Sequence, residues 1–409
     1  LGESVYARYL QAFGREVAFL ENYYHGDYVT RIAESLRAEH GESLLARPEA
    51  EAVAFCAEVA SARLLEDLKR DLADFRVAFD VWTSEKALIE SGAVDQALAE
   101  LKRREEAYER DDALWFRSSR YGDEKDRVLI KSDGSRTYLA SDVAYHRDKY
   151  RRGFDRLVNV WGADHHGYIP RVKAAVQAFG EDPATLDVLL LQLVSLRRGE
   201  EVVAMGKRSG VYTTLREVME EVGTDAARFF FLTRKADAAL DFDLELAAKH
   251  TLDNPVYHVQ YVHARIQSVF RKATEEGAWS RLFRREEIGE GLRLRVGFAG
   301  EAREARVDPS CLEALALPEE MALVRKVHDF LRVLAGAAAE LEPHRVATYL
   351  VELAQQYHSY YTMGNRDREL RIITEDARRS EARILLSAAV QFVVRRGLGL
   401  LGVGAPERM

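Results

Sequence analysis

Apolar positions in residues 1–13 recur at helical spacing, with Val5, Tyr6, Tyr9, Leu10 and Phe13 on one face and Gly14 as the stop. The chain thus opens inside an amphipathic helix, which predicts that it is the later part of a longer protein. Residues 16–23 hold an apolar run of strand length (Val17, Ala18, Phe19, Leu20), and Asp27 is placed to cap a helix reaching about Ala38. Residues 42–110 are rich in Ala, Leu and Glu, broken by the turn Glu90-Ser91-Gly92, and read as an inserted helical module. Short strands are predicted between Trp115 and Asp133, with turns at Tyr121-Gly122-Asp123 and Ser132-Asp133-Gly134. The most regular pattern follows: a buried strand over residues 157–161, a break at Gly162, a helix over residues 169–179 stopped by Gly180, and a second apolar run over residues 188–193. Strand, helix and strand with short links predict a parallel crossover in a doubly wound α/β sheet. From Leu215 onward the pattern is helical apart from a Gly- and Arg-rich stretch at residues 277–306, enough for a separate helical domain. No internal repeat is present.

Composition narrows the class. The chain has 409 residues, 47% of them hydrophobic and 31% charged, with only 26 Gly and 8 Pro, which suits two or three cores and excludes collagen-like or disordered chains. Cys56 and Cys311 are the only cysteines, so neither a disulfide framework nor a thiolate metal cluster is available, and a reducing, cytoplasmic setting is expected. The formal net charge is -8, and its distribution is uneven. Residues 1–130 hold 27 acidic and 18 basic side chains, a balance of -9, whereas the rest hold 40 and 41, a balance of +1. No apolar run approaches the ~18 residues of a spanning helix, and the first residues lack a signal-peptide pattern, so neither membrane insertion nor secretion is expected.

Four segments have the makings of chemistry. Gly162-Ala163-Asp164-His165-His166-Gly167 follows a strand and precedes a helix, where open α/β sheets bind ligands. Its glycines let backbone approach a nucleotide, the helix N-terminus favours phosphate, and Asp164 can accept from ribose hydroxyls. Adjacent histidines on extended chain point to opposite sides and no third one is near, so no metal is expected there. Met205-Gly206-Lys207-Arg208-Ser209-Gly210 lies after a predicted hairpin at residues 197–200 and before a helix capped by Thr213 or Thr214; its cations suit a leaving pyrophosphate. The alternative is a solvated basic turn. Tyr138 and Asp142 share a face one turn into a helix capped by Thr137, a ring beside a carboxylate that suits a guanidinium. An ordinary polar pair in a first turn is the competing reading. Asn254-Pro255 opens a helix carrying Tyr257, His258, Gln260, Tyr261, His263 and Arg265, and a second aromatic group is Tyr357-His358-Ser359-Tyr360-Tyr361. Rings interleaved with His and Arg suit unstacked RNA bases, although rings at helical spacing also fill cores.

The order of these segments closely resembles bacterial arginyl-tRNA synthetases along essentially the whole chain. It runs from Tyr138-Leu-Ala-Ser-Asp142 through Trp161-Gly-Ala-Asp-His-His-Gly-Tyr168, Met205-Gly-Lys-Arg-Ser209, Asp225-Ala-Ala-Arg228 and Asp253-Asn-Pro-Val-Tyr-His-Val-Gln-Tyr-Val-His-Ala-Arg265 to the ending Gly397–Met409. The resemblance implies a class I ligase that uses ATP, with Mg2+, to activate arginine and then charges tRNA(Arg), acting as a monomer in the cytoplasm. It implies a Rossmann-type doubly wound parallel sheet with a helical insertion, followed by an all-α anticodon-binding domain of the DALR type. The expected parts are residues 1–40 and 131–245 for the catalytic domain, 41–130 for the insertion and 246–409 for the anticodon-binding domain. Carried over by motif, Tyr138 and Asp142 bind arginine, and Gly162, Asp164, His165 and Met205 bind ATP. Lys207 and Arg208 are catalytic, and Tyr257, Tyr261, Tyr361 and Met409 face the tRNA. The sequence departs from the family at Ala204-Met205-Gly206-Lys207, where the first lysine of the usual Lys-Met-Ser-Lys loop is missing, and at Thr362, where Asn is common. It also contains no His-x-Gly-His signature, so it is expected to be incomplete for catalysis. A non-catalytic tRNA-binding relative is the alternative.

Overall fold

In the computed structural model, which describes residues 1–203, 213–275, 292–298, 301–307 and 309–409, the opening pattern forms helix α1, Gly2–Ala12. Its apolar face buries Val5, Tyr6 and Tyr9 against α2, Asp27–His40, and α3, Glu49–Asp74. Gly2 is needed at the crossing, because a Cβ there would press on the Val53 carbonyl and lie 2.8 Å from the Ala57 Cβ. The apolar run at residues 17–20 forms no strand. Phe19 is instead drawn into a cluster with Tyr23 and His25, ring centres 5.3 and 5.1 Å away, under the Arg8 guanidinium at 3.8 Å. Asp27 is the first helical residue rather than the cap, which is Gly26, and its charge suits the positive end of the helix.

The chain divides into two compact units, one of residues 1–78, 195–235 and 241–409 and one of residues 79–194 and 236–240. In the first unit, the buried Ala52, Cys56 and Ala60 of α3 belong to the core of α1 and α2.

The second unit begins with α4, Glu85–Glu90, and α5, Ala93–Arg103, followed by β1, Ala107–Arg110, β2, Ala113–Phe116, and β3, Arg127–Ile130, in an antiparallel sheet ordered β1-β2-β3. Next come α6, Tyr138–Arg151, β4, Leu157–Gly162, α7, Ile169–Ala178, and β5, Leu186–Leu191. β4 and β5 pair in parallel from Leu157 opposite Leu186 to Gly162 opposite Leu191, so the predicted crossover forms. β4 departs from the expected fully buried strand. Leu157 and Asn159 are buried while Val158 and Val160 on the alternate face are exposed, Val160 by 58%. Thr137 precedes α6 without capping it, since its hydroxyl donates to the Val128 carbonyl of β3 at 2.9 Å. One core joins α5, α6, α7 and the three-stranded sheet through Leu98, Leu101, Phe116, Leu129, Val143 and Ala175.

Back in the first unit, β6, Val194–Arg198, and β7, Glu201–Val202, make the predicted hairpin, with Arg197 opposite Val202. α8, Leu215–Val222, starts with a capping box between Thr214 and Glu217. Then follow α9, Thr224–Phe231, β8, Leu240–Asp243, beside β6, α10, Leu244–Ala248, and α11, Pro255–Glu275. An antiparallel hairpin, β9, Leu292–Phe298, and β10, Glu301–Val307, falls within the Gly- and Arg-rich stretch. The helices α12, Pro318–Ala339, α13, His344–Arg366, and α14, Ala377–Leu400, complete the unit. Among the described residues, no helix is long and apolar enough to cross a membrane.

Two polar clusters lock this unit. Glu320 and Arg383, 1% and 3% exposed, form an ion pair at 2.8 Å. The Glu320 carboxylate also accepts from the Ala316 and Leu317 amides and the Tyr360 hydroxyl, and Arg383 donates to the Glu369 and Arg371 carbonyls. Beyond α14 the tail at residues 401–406 is stitched to α9 and α11. The Gly404 amide donates to Asp225 at 3.0 Å, Gln260 donates to both Asp225 and the Gly404 carbonyl, His263 Nδ1 donates to the Pro406 carbonyl at 2.9 Å, and Arg228 donates to the Leu401 carbonyl at 3.0 Å. Gly402 has φ +69°, and a Cβ there would lie 2.6 Å from the Arg228 guanidinium carbon. Gln260 and His263 therefore serve the fold rather than an RNA surface.

Candidate functional site

α6 brings Tyr138 and Asp142 to one face, as its periodicity predicts. Tyr138 is 82% exposed, whereas Asp142 is half-buried. Burial raises the Asp142 carboxyl above its usual range, offset in part by the nearby Tyr168 hydroxyl, Lys149 and His165, while Glu85 adds to the rise. A carboxylate held partly out of water beside an exposed ring suits a cation, since partner charge regains what burial costs it.

Beneath that face runs a buried polar chain that the sequence reading did not single out. His146 Nδ1 lies 2.7 Å from the Asp142 carbonyl oxygen, which only accepts, so that nitrogen carries the proton. His146 Nε2 then accepts from Asn159 Nδ2 at 2.8 Å, and Asn159 Oδ1 accepts from Lys149 Nζ at 3.0 Å. His146 is buried, and desolvation lowers its pKa to about 4, so the ring stays neutral. Desolvation likewise lowers the Lys149 ammonium, whose nitrogen lies 4.3 Å from the centre of the Tyr145 ring. The chain ties the backbone of Asp142 to β4, three residues before Gly162. The spacing of Asp142, His146 and Lys149 on one helix was the available signal; the inward face of Asn159 was not readable without the strand's partner. Arg147, next to His146, anchors α6 to α5 through Glu100 at 2.6 Å.

Gly162, Asp164 and His165 stand exposed where β4 ends. The segment is not an open loop ahead of a helix, because Ala163–Tyr168 already forms a 3-10 helix that runs into α7. Its first free amides are thus those just after Gly162, at the edge of the sheet. Asp164 and His165 side chains are 81% and 63% exposed, with His165 Nε2 3.8 Å from the carboxylate. Met205, Lys207 and Arg208 lie outside the described residues. Among the described residues, no group of three or more His, Cys, Asp or Glu side chains is placed to hold a metal ion.

In the first unit, α11 and α13 display a stacked array. Tyr257 stacks on Tyr261 at 5.9 Å and 11°, Tyr261 stacks on His358 at 5.6 Å, and the Arg265 guanidinium lies 4.6 Å from the Tyr261 ring centre and 4.5 Å from that of Tyr361. Tyr257, Tyr261, Arg265 and Tyr361 are half-buried. Tyr357 and Tyr360 of the second aromatic group are core residues, bonded to Ser387 and Glu320. Met409 is 48% exposed.

Comparison with known proteins adds the following. The family described as "tRNA synthetases class I (R), catalytic domain" matches residues 38–243, and the "DALR anticodon binding domain" matches residues 299–409. The chain is 49% identical to the arginine–tRNA ligase of Desulfosudis oleivorans over 409 residues, all of this chain and 68% of that protein. It is 44% identical to that of Geobacillus kaustophilus, again over all of this chain and 68% of the relative. An arginyl-tRNA synthetase structure from Campylobacter jejuni superposes with a TM-score of 0.81 at 29% identity, covering all of this chain and 81% of that one. The Thermus thermophilus arginyl-tRNA synthetase, at 21% identity and a TM-score of 0.68 over 99% of this chain and 74% of that one, shares the fold. The chain belongs to the arginine–tRNA ligases, class I synthetases that join a catalytic Rossmann-like domain to a helical DALR anticodon-binding domain.

Proposed function

We propose that, within the arginine–tRNA ligase reaction, Asp142 receives the guanidinium of the substrate and Tyr138 closes over it. Gly162, Asp164 and His165 take the adenosine, Met205 completes that pocket, and Lys207 and Arg208 meet the triphosphate. In this reading the arginine carboxylate oxygen bonds to the α-phosphorus, the bond to the bridging oxygen breaks and pyrophosphate leaves. A terminal ribose hydroxyl of tRNA(Arg) then attacks the activated carboxyl and AMP departs. Cations on the loop at residues 205–209 would offset the charge that grows on the leaving pyrophosphate. Mg2+ would enter with the triphosphate it coordinates. Tyr257, Tyr261, Tyr361 and Met409 would meet tRNA, the stacked rings offering faces for unpaired bases. The protein would work as a monomer in the cytoplasm.

The supporting observation is the half-buried Asp142 carboxylate, with its pKa raised by burial, on a helix pinned by the His146–Asn159 chain. A hydrogen bond to a charged group contributes about 1.5–3 kcal/mol. Asp142→Asn should therefore weaken arginine binding in calorimetry by roughly 10- to 100-fold and leave ATP binding within about threefold. Unchanged arginine binding would reject the assignment.

A further inference from the structure

His358 of α13 is buried against α11, its ring centre 4.6 Å from that of His258 and its face stacked on Tyr261. Its two nitrogens do different things. Nε2 lies 3.2 Å from the His258 carbonyl oxygen, which only accepts, so Nε2 carries the proton and donates. Nδ1 is then a bare lone pair, and it accepts from Arg265 Nη1 at 3.3 Å. Burial lowers the His358 pKa to about 4, which keeps that lone pair free of a second proton. Arg265 Nη2 meanwhile donates to the Tyr261 hydroxyl at 3.2 Å. The guanidinium that lies within 5 Å of the Tyr261 and Tyr361 ring centres is therefore held twice, by a phenol on its own helix and by an imidazole on the next. A free arginine side chain samples many rotamers, so each bond that fixes it matters.

We propose that His358 is a positioning residue for tRNA binding: its Nδ1 lone pair fixes the Arg265 guanidinium beside Tyr261 and Tyr361 and so orders the aromatic array before RNA arrives. This deepens the reading that Tyr257, Tyr261 and Tyr361 meet tRNA, and it rests on that reading. His358 is buried where Tyr261, Arg265 and Tyr361 are half-buried, so it acts through Arg265 and not by touching RNA. A base that stacks on rings already fixed orders fewer side chains on binding, and so binds more tightly. The tautomer is the essential feature, since the reversed one sets a proton on Nδ1 against the Arg265 N–H.

Two amide side chains separate the two nitrogens. Asn sets an oxygen where Nδ1 stands and nothing at Nε2, whereas Gln sets a nitrogen where Nε2 stands and nothing at Nδ1. Binding of transcribed tRNA(Arg) to the full chain is measured at one salt concentration, with the melting temperature of each variant. His358→Asn should keep the dissociation constant within about threefold, and His358→Gln should raise it about 5- to 20-fold. In an Arg265→Met background His358→Gln should add less than about twofold, because the group it positions is gone. A histidine that only joins α13 to α11 predicts Gln tolerated and Asn not, or an equal loss in both backgrounds, and either result overturns the proposal. Arg265→Met leaves the imidazole and its bond to His258 in place and should weaken binding at least as much as His358→Gln; if it does not, the proposal falls whatever the His358 variants do. If Tyr261→Leu weakens tRNA binding and His358→Gln does not, the proposal fails while the tRNA reading stands. If Tyr261→Leu has no effect, or the unsubstituted chain binds no tRNA(Arg), both fail.

Discussion

At the scale of single residues, His146 shows how burial fixes a protonation state. An unfolded histidine takes up its proton near 6.5, the buried ring only near about 4, and His358 behaves alike. Between those values the unfolded chain binds more protons than the folded one, so stability falls as pH falls from about 6.5 towards 4. Each histidine contributes up to about 1.4 kcal/mol per pH unit. Urea unfolding at pH 7 and pH 5 measures this, and His146→Gln should show a smaller difference between the two pH values than the unsubstituted chain. That Asp142 and Tyr138 share a face was legible because a carboxylate one turn from a ring is a pattern within one helix. His146 lies one turn further along the same helix and was readable in principle. Asn159 and Tyr168 were not, because what they face depends on how β4 and α7 pack against α6, and that is a long-range fact.

At the scale of elements, the sequence was most informative where the pattern is local. Thr214 and Glu217 form the capping box the spacing allows, and Thr214→Ala should cost about 1 kcal/mol in urea unfolding. It misled at residues 17–20, where four apolar residues suggested a strand but found partners only as an aromatic cluster around Phe19. It was silent about Glu320, which looks like any acid in a first helical turn yet holds the start of α12 to α14 through Arg383. Glu320→Ala leaves a buried guanidinium without its counter-charge and should lower unfolding free energy by roughly 3–5 kcal/mol. Replacing both partners with apolar residues of similar size should cost much less, which separates the pair's net contribution from the penalty of orphaning one half.

At the scale of the whole molecule, the chain leaves the first unit after residue 78, returns at 195 and visits the second again at 236–240. Composition marked a change near residue 130, but packing follows contacts that composition does not record, such as α3 against α1. The order of the motifs was legible and specific; what two of them are for was not. Asp225 and Arg228, with Gln260 and His263, turn out to be the anchorage of residues 401–406. Removing residues 402–409 should therefore expose α9 and α11 to hydrogen exchange while β4 and β5 stay protected, with the first unit losing more than about 3 kcal/mol as several buried polar groups go unpaired. The same stitching sets a sequence of events during synthesis. The residues of α9 and α11 that the tail binds are made more than 130 residues before it, so while the helical region is still being translated those groups must remain solvated or find other partners. The second unit has its last residue by position 240 and can close early, whereas the first can reach its final hydrogen bonding only after residue 406 has left the ribosome.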